Sequence, residues 1–180
     1  MNNKVDFLPI NIAIVTISDT RDLDNDKSGD VLAQRIENSG HNIIARKIVK
    51  DDFKQITQLF QNLINNEKTD VVISTGGTGL TGRDITPEVM KTLFEKSIDG
   101  FGEMFRWLSY SKIGTSALQS RALAGVTNGT YIFCLPGSPS ACKDGWDDIL
   151  VHQLDIRHKP CNFVEIMPRL QEHKISRIKS

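Results

Sequence analysis

The segment Ser74-Thr75-Gly76-Gly77-Thr78-Gly79-Leu80-Thr81-Gly82-Arg83-Asp84 concentrates the chemically useful residues of the chain. Gly77, Gly79 and Gly82 match G-x-G-x-x-G, the spacing of a dinucleotide fingerprint. Two features argue against that use. The fingerprint opens its helix within the glycines, whereas here the helix-start signals wait until Thr86-Pro87. It also belongs to the first strand of a βαβ unit, and this loop follows the third apparent strand. A Walker P-loop fails because no G-K-[ST] follows. A glycine loop offering several backbone N–H groups remains, suited to cradling phosphate or another anion. Four glycines exceed what one tight turn requires. Asp84 directly follows the loop, and Asp51 stands where a second strand should end. Carboxylates beside a phosphate cradle suit Mg²⁺, which bridges protein carboxylates to substrate phosphates.

Other groupings are less productive. Asp22, Asp24, Asp26, Ser28 and Gly29 resemble part of a calcium loop, but position twelve is Arg35 where a bidentate Glu is needed. The run reads as a solvated acidic loop. His152, His158 and Cys161 are metal-binding types at a spacing that fits no zinc pattern well. Cys134, Cys142 and Cys161 form no C-x-x-C and read as free thiols of a reducing compartment.

The elements that must carry these residues follow from periodicity. Ile12 to Ile17 is a short, nearly continuous apolar run, as in strands covered on both faces. Ser28 reads as an N-cap for a helix through Val31, Leu32, Ala33 and Ile36 that stops near Gly40. Ile43 to Val49 suggests a second strand. Phe53, Ile56, Leu59, Phe60, Leu63 and Ile64 recur at three- and four-residue steps, the clearest amphipathic helix. Val71 to Ile73 is a third strand. Thr86-Pro87-Glu88 reads as cap, N1 proline and first-turn acid. Gly100 to Ser109 reads as a helix with Phe101, Met104, Phe105 and Leu108 on one face. Trp107 points off that stripe and suggests an oligomer interface. Ala122–Val126 and Thr130–Leu135 form a hairpin across Asn128-Gly129. Pro136-Gly137-Ser138-Pro139 leads into a last helix through Trp146 and Leu150. From Pro168 the chain reads as a loose polar tail.

Strand alternating with helix three times predicts an α/β sandwich with a mainly parallel sheet and a small β-hairpin. Such sheets bind ligands at the carboxyl ends of their strands. Ser18-Asp19, Lys50-Asp51-Asp52, Gly76 to Asp84 and Pro136-Gly137-Ser138 all fall at such ends. They should therefore converge on one rim. With 180 residues the chain suits one domain and hides roughly 70% of its unfolded surface. Lys+Arg and Asp+Glu are 22 each, so no basic excess exists for nucleic acid or a membrane surface. The first apolar run is too short for a secretory signal, and the uncharged stretch 122–142 is broken by Asn128, Gly129, Pro136, Gly137 and Pro139. The reading is cytoplasmic.

Thr75-Gly76-Gly77-Thr78-Gly79, Asp84-Ile85-Thr86-Pro87-Glu88, Gly100-Phe101-Gly102-Glu103-Met104-Phe105-Arg106 and Leu135-Pro136-Gly137-Ser138 together resemble the MoaB/MogA family of molybdenum cofactor biosynthesis proteins. The resemblance runs from about Val5 to Phe163. Gly114 to Ala122 and Arg157 to Phe163 are similar to its MoaB branch. It implies a three-layer αβα sandwich and one molybdopterin-binding domain over 5–167, with 168–180 a flexible tail. It implies adenylylation of molybdopterin by ATP with Mg²⁺, releasing pyrophosphate, with Asp51 and Asp84 as metal-holding catalytic carboxylates. Ser18, Asp19, Gly76, Gly77, Thr78, Gly79, Ser120, Arg121, Pro136, Gly137 and Ser138 are then the substrate-binding set. Replacing either aspartate by Asn is expected to spare stability. The family further implies a homo-trimer or hexamer and exchange with other pathway proteins. The alternative is a non-catalytic member that binds molybdopterin and stores it or hands it on.

Overall fold

The structure is a computed structural model and describes residues 5–175. In chain order the elements are β1 (Asn11–Ile17), α1 (Lys27–Asn38), β2 (Asn42–Val49), α2 (Phe53–Ile64), β3 (Val71–Thr75), α3 (Thr86–Leu93), β4 (Lys96–Ser97) and α4 (Asp99–Ile113). A 3₁₀ stretch, Gly114–Gln119, leads to β5 (Leu123–Thr127) and β6 (Thr130–Leu135). Then come α5 (Pro139–Gly145), a π-helical turn (Trp146–Leu150), α6 (Val151–Gln153), α7 (Phe163–Ile166), a short 3₁₀ turn (Met167–Arg169) and α8 (Glu172–Ile175).

Six strands form one sheet in the order β2-β1-β3-β6-β5-β4. β2, β1, β3 and β6 run parallel, and β5 is antiparallel to both β6 and β4. Alternation along β1 divides the core. Ile12 and Ile14 pack with Leu32 and Ile36 of α1, Phe101 and Phe105 of α4, and Trp146. Ala13, Val15 and Ile17 pack on the other side with Ile56 and Phe60 of α2 and Val89 and Met90 of α3. β1 therefore reads as a continuous apolar run because both of its faces are covered. The expected three-layer sandwich is the fold, and the expected hairpin is present. Asn128 (φ 47°) and Gly129 (φ 83°) both lie in the left-handed region that a two-residue hairpin turn requires.

Several local expectations change. The cap of α1 is Asp26, whose carboxylate accepts the Gly29 amide at 3.0 Å, and not Ser28. Asp26 is fully buried, so the acidic run is not uniformly solvated. Its carboxylate also accepts Thr16 Oγ1 at 2.8 Å and Arg46 Nη2 at 3.1 Å, which repay its desolvation. Thr86 is the first residue of α3 rather than its cap, because its hydroxyl donates to the Gly76 carbonyl at 3.0 Å. α4 is longer than expected, and Met104 is half exposed. Phe101 and Phe105, one turn apart, take the core face instead. Residues 168–175, expected as a loose tail, continue into helical turns. There Leu170 packs on the core, and Gln171 and Lys174 donate to Asn128 of the hairpin. The rest of that tail lies outside the described residues. No helix among the described residues is long and apolar enough to cross a membrane.

Candidate functional site

The strand order reverses between β1 and β3, whose following helices α1 and α3 pack on opposite faces, so the loops leaving these two strands diverge at their carboxyl ends. That divergence opens a crevice. A cleft of about 620 Å³ lies there, lined by residues from all four expected rim segments. Ser18 comes from β1, Asp51 follows β2, Gly76 to Gly79 and Asp84 follow β3, and Pro136 to Ser138 follow β6. α4, the 3₁₀ stretch and the residue that follows it close another wall with Phe105, Ser109, Lys112, Gln119 and Ser120.

The glycine loop is fitted to its surroundings. Gly76 has φ 104°, and a Cβ there would collide with the Ile17 carbonyl. Gly77 has φ 64°, and a Cβ there would strike Thr86 Oγ1 and come within 2.8 Å of Asp51 Oδ1. A Cβ on Gly79 would sit 2.7 Å from Asp84 Oδ2. Gly82 faces open space, so the third glycine of the apparent fingerprint has no packing role. The Gly76 amide donates to the Leu135 carbonyl at 3.0 Å, and Thr75 Oγ1 to the Pro136 carbonyl at 2.9 Å. These bonds join the glycine loop to the Pro-Gly-Ser loop.

The two aspartates differ. Asp84 Oδ2 accepts the Thr81 amide at 2.8 Å and the Thr81 hydroxyl at 2.6 Å. Burial works against its charge, but these bonds, the Gly79 amide and Arg121 outweigh it and hold the carboxyl below its ordinary range. Asp51 Oδ1 is buried with no hydrogen-bond partner. Burial, then the negative charges of Asp19 and Asp84, push the Asp51 carboxyl upward, and Arg83 offsets this only in part. Among the described residues no group of three or more His, Cys, Asp or Glu side chains could hold a metal ion. A cation between Asp51 and Asp84 would therefore take its other ligands from phosphate and water, the usual habit of Mg²⁺. The orphaned Asp51 oxygen fits that role, because a cation would supply its missing partner.

Two expected site residues stand off the cleft lining. Asp19 is turned to Arg83, pairing with its guanidinium at 2.6 Å, while its other oxygen accepts the Asp51 amide at 3.2 Å. Arg83 first, with burial opposing, keeps the Asp19 carboxyl low. Arg121 lies behind the glycine loop. Its Nε donates to the Gly79 carbonyl at 2.7 Å and its Nη2 to the Asp84 carbonyl at 2.8 Å.

Two cations lining the cleft had no sequence signal of their own. Arg21 donates to the Gly137 carbonyl at 3.0 Å and to Ser28. Lys112 bridges Asp144 at 2.7 Å and Asp148 at 2.8 Å. Ser109 and Lys112 stand four and seven residues beyond Phe105, so helical spacing could have placed them on one face with it. His152 and His158 have ring centroids 5.4 Å apart, away from this cleft. Cys134 and Cys142 are buried free thiols, pushed by burial up to about 12 and about 11. Cys161 is also free and is exposed.

The family described as "Probable molybdopterin binding domain" matches residues 13–156. Molybdenum cofactor biosynthesis protein B of Escherichia coli (strain K12) is 46% identical over 160 residues, covering 89% of this chain and 94% of that protein. The protein of the same name from Staphylococcus epidermidis is 47% identical over 139 residues, covering 75% and 79%. A crystal structure of a molybdenum cofactor biosynthesis protein B superposes with a TM-score of 0.83 at 37% identity, covering 92% of this chain and 98% of that one. The tungsten cofactor synthesizing protein MoaB from Pyrococcus furiosus gives a TM-score of 0.70 at 36% identity, covering 79% and 91%.

Proposed function

Because the chain belongs to the MoaB/MogA family of molybdenum cofactor biosynthesis proteins, we propose that its rim cleft binds molybdopterin and adenylylates it with Mg-ATP. The observation that carries this reading is the buried, unpartnered Asp51 oxygen in the same cleft as Asp84 and the glycine loop. A carboxylate left without a donor beside other carboxylates is costly, and a cation brought in with a nucleotide relieves it.

In this reaction a terminal phosphate oxygen of the pterin attacks the α-phosphorus of ATP. The bond from that phosphorus to the oxygen bridging to the β-phosphate breaks, and pyrophosphate leaves with the electron pair. Such a transfer needs positioning and charge neutralisation more than covalent chemistry from the protein. Gly76, Gly77, Thr78 and Gly79 bring backbone close to the phosphates. Ser18, Ser120 and Ser138 offer hydroxyls, and Pro136-Gly137 shapes the wall. Arg21 supplies positive charge at the cleft lining, whereas Lys112 is neutralised there by Asp144 and Asp148. Asp51 and Asp84 would hold Mg²⁺, which when bound spreads the charge developing on the transferred phosphate. Asp19 holds Arg83 beside the carboxylates. Residues 5–167 act as one ligand-binding unit in a cytoplasmic homo-oligomer, exchanging pterin with other proteins of the pathway.

Incubating the purified protein with molybdopterin and α-labelled ATP in Mg²⁺ tests the reading. Label should appear in the pterin, with pyrophosphate released. Tight pterin binding without labelled product would favour the non-catalytic carrier instead.

A further inference from the structure

Resting on the reading of Asp84 as a metal-holding carboxylate, we propose that Arg121 is a positioning residue that fixes Asp84 from behind and does not contact the ligand. Between Gly79 and Asp84 the loop leaves the protein surface. Leu80 is 68% exposed, and a Cβ on Gly82 would meet only open space. Asp84 is bonded within the loop itself, to Thr81 and Gly79, and those bonds move with the loop.

Outside the loop, Asp19 holds the Arg83 guanidinium at 2.6 Å, and Arg121 supplies the anchor at the two ends. Arg121 Nε takes the carbonyl at one end of the excursion, Gly79, and Nη2 takes the carbonyl at the other, Asp84. Nη1 pairs with Glu88 in the first turn of α3. The Arg121 amide adds a bond to the Thr78 carbonyl at 3.2 Å. One planar group thus ties both ends of the loop and the following helix to the segment that leads into β5. Only a guanidinium can do this, because its donors diverge at fixed angles. A lysine ammonium keeps the charge but not the fork. Arg121 is absent from the cleft lining, although its neighbour Ser120 is part of it.

The test compares wild type, Arg121→Lys and Glu88→Ala as full chains. Amide hydrogen exchange is followed over residues 79–84, and Mn²⁺ binding in the presence of ATP is followed by electron paramagnetic resonance. In Arg121→Lys, exchange in the loop should rise about tenfold, as expected on losing a charge-assisted anchor, while the sheet stays protected. Mn²⁺ affinity should weaken, and adenylyl transfer should fall roughly 10²-fold, the cost of an ångström-scale misplacement. Pterin affinity should hold. Glu88→Ala, which leaves Arg121 two of its three anchors, should shift every readout the same way by less, and it decides the matter if Arg121→Lys does not fold. Unchanged loop exchange overturns the proposal. So does weakened pterin binding with an unaltered loop, which would make Arg121 a ligand contact. A wild type that neither binds Mn²⁺ nor transfers AMP sinks the reading of Asp84 and this proposal with it.

Discussion

Asp51 and Asp84 face the same cleft with opposite electrostatics, and this separates their variants. The Asp84 carboxyl is held below its ordinary value of 3.8, so its ionised form favours the fold. That stability is present above pH 3.8 and is lost as pH falls through the folded value. The Asp51 carboxyl is raised above 3.8, so its ionised form opposes the fold, and stability is gained as pH falls through its folded value. Asp51→Asn should therefore leave stability unchanged or raise it by up to about 1 kcal/mol. Asp84→Asn should cost about 0.5–2 kcal/mol, because the bonds from Thr81 lose their charged acceptor. This departs from the expectation that both substitutions spare stability. Urea unfolding at neutral pH measures both values. Adenylyl transfer should fall by roughly 10²-fold or more in each variant. Asp51→Asn is the cleaner test, because no folding defect can explain its loss. Full activity in Asp51→Asn would remove the carboxylate from the mechanism.

At the scale of elements, the loops after β1 and before α1 depend on Asp26. It caps α1, bonds Thr16 in β1 and accepts Arg46 from β2, so one buried side chain registers three elements. Its carboxyl is lowered even though burial, the largest influence, works the other way; the Gly29 amide, Thr16 and Arg46 prevail. Asp26→Ala would remove a cap and leave Arg46 with the Asp30 carboxylate and the main-chain carbonyl of residue 26. We expect a loss of about 2–4 kcal/mol, less than for a fully enclosed pair because Arg46 keeps some contact with water. Thermal unfolding checks this, and a loss under about 0.5 kcal/mol, the lower end for a simple cap, would contradict it. Periodicity alone located β1, α2, β3 and the β5–β6 hairpin, where apolar spacing or an Asn-Gly turn is strong. It missed β4, whose two residues, Lys96 and Ser97, are both exposed and carry no apolar signal.

At the scale of the whole molecule, the outer face of α4 and the following 3₁₀ stretch is unlike the rest of the surface. Trp107 is 73% exposed, Tyr110 62%, Ile113 57% and Leu118 81%. Their spacing places Trp107, Tyr110 and Ile113 along one stripe, and Ile113 also lines the cleft. Burying such a band between copies of the chain is favourable at roughly 25 cal/mol per Å². We expect a trimer or hexamer at micromolar concentration by light scattering on a sizing column. Trp107→Glu should shift the protein toward smaller species, since a buried unpaired charge is costly. A wild-type monomer under those conditions would refute the expectation.

The class of fold was legible in the chain alone, because alternating apolar runs and amphipathic spacing are local and survive without any knowledge of neighbours. The rim was legible too, because the ends of parallel strands are where such sheets open. The motifs at Thr75 to Gly79 and Leu135 to Ser138 carried the family. Tertiary structure alone decided which of those residues face the cleft and which brace it. Arg121 and Asp19 were both expected to bind substrate, yet they turn to the glycine loop and to Arg83. Asp26 sits in a run of exposed acids, yet it is buried. The electrostatic split between Asp51 and Asp84 was equally hidden. A carboxylate's charge state is set by the donors and charges around it, and here those come from Asp19, Thr81, Arg83 and Arg121, which chain folding brings together.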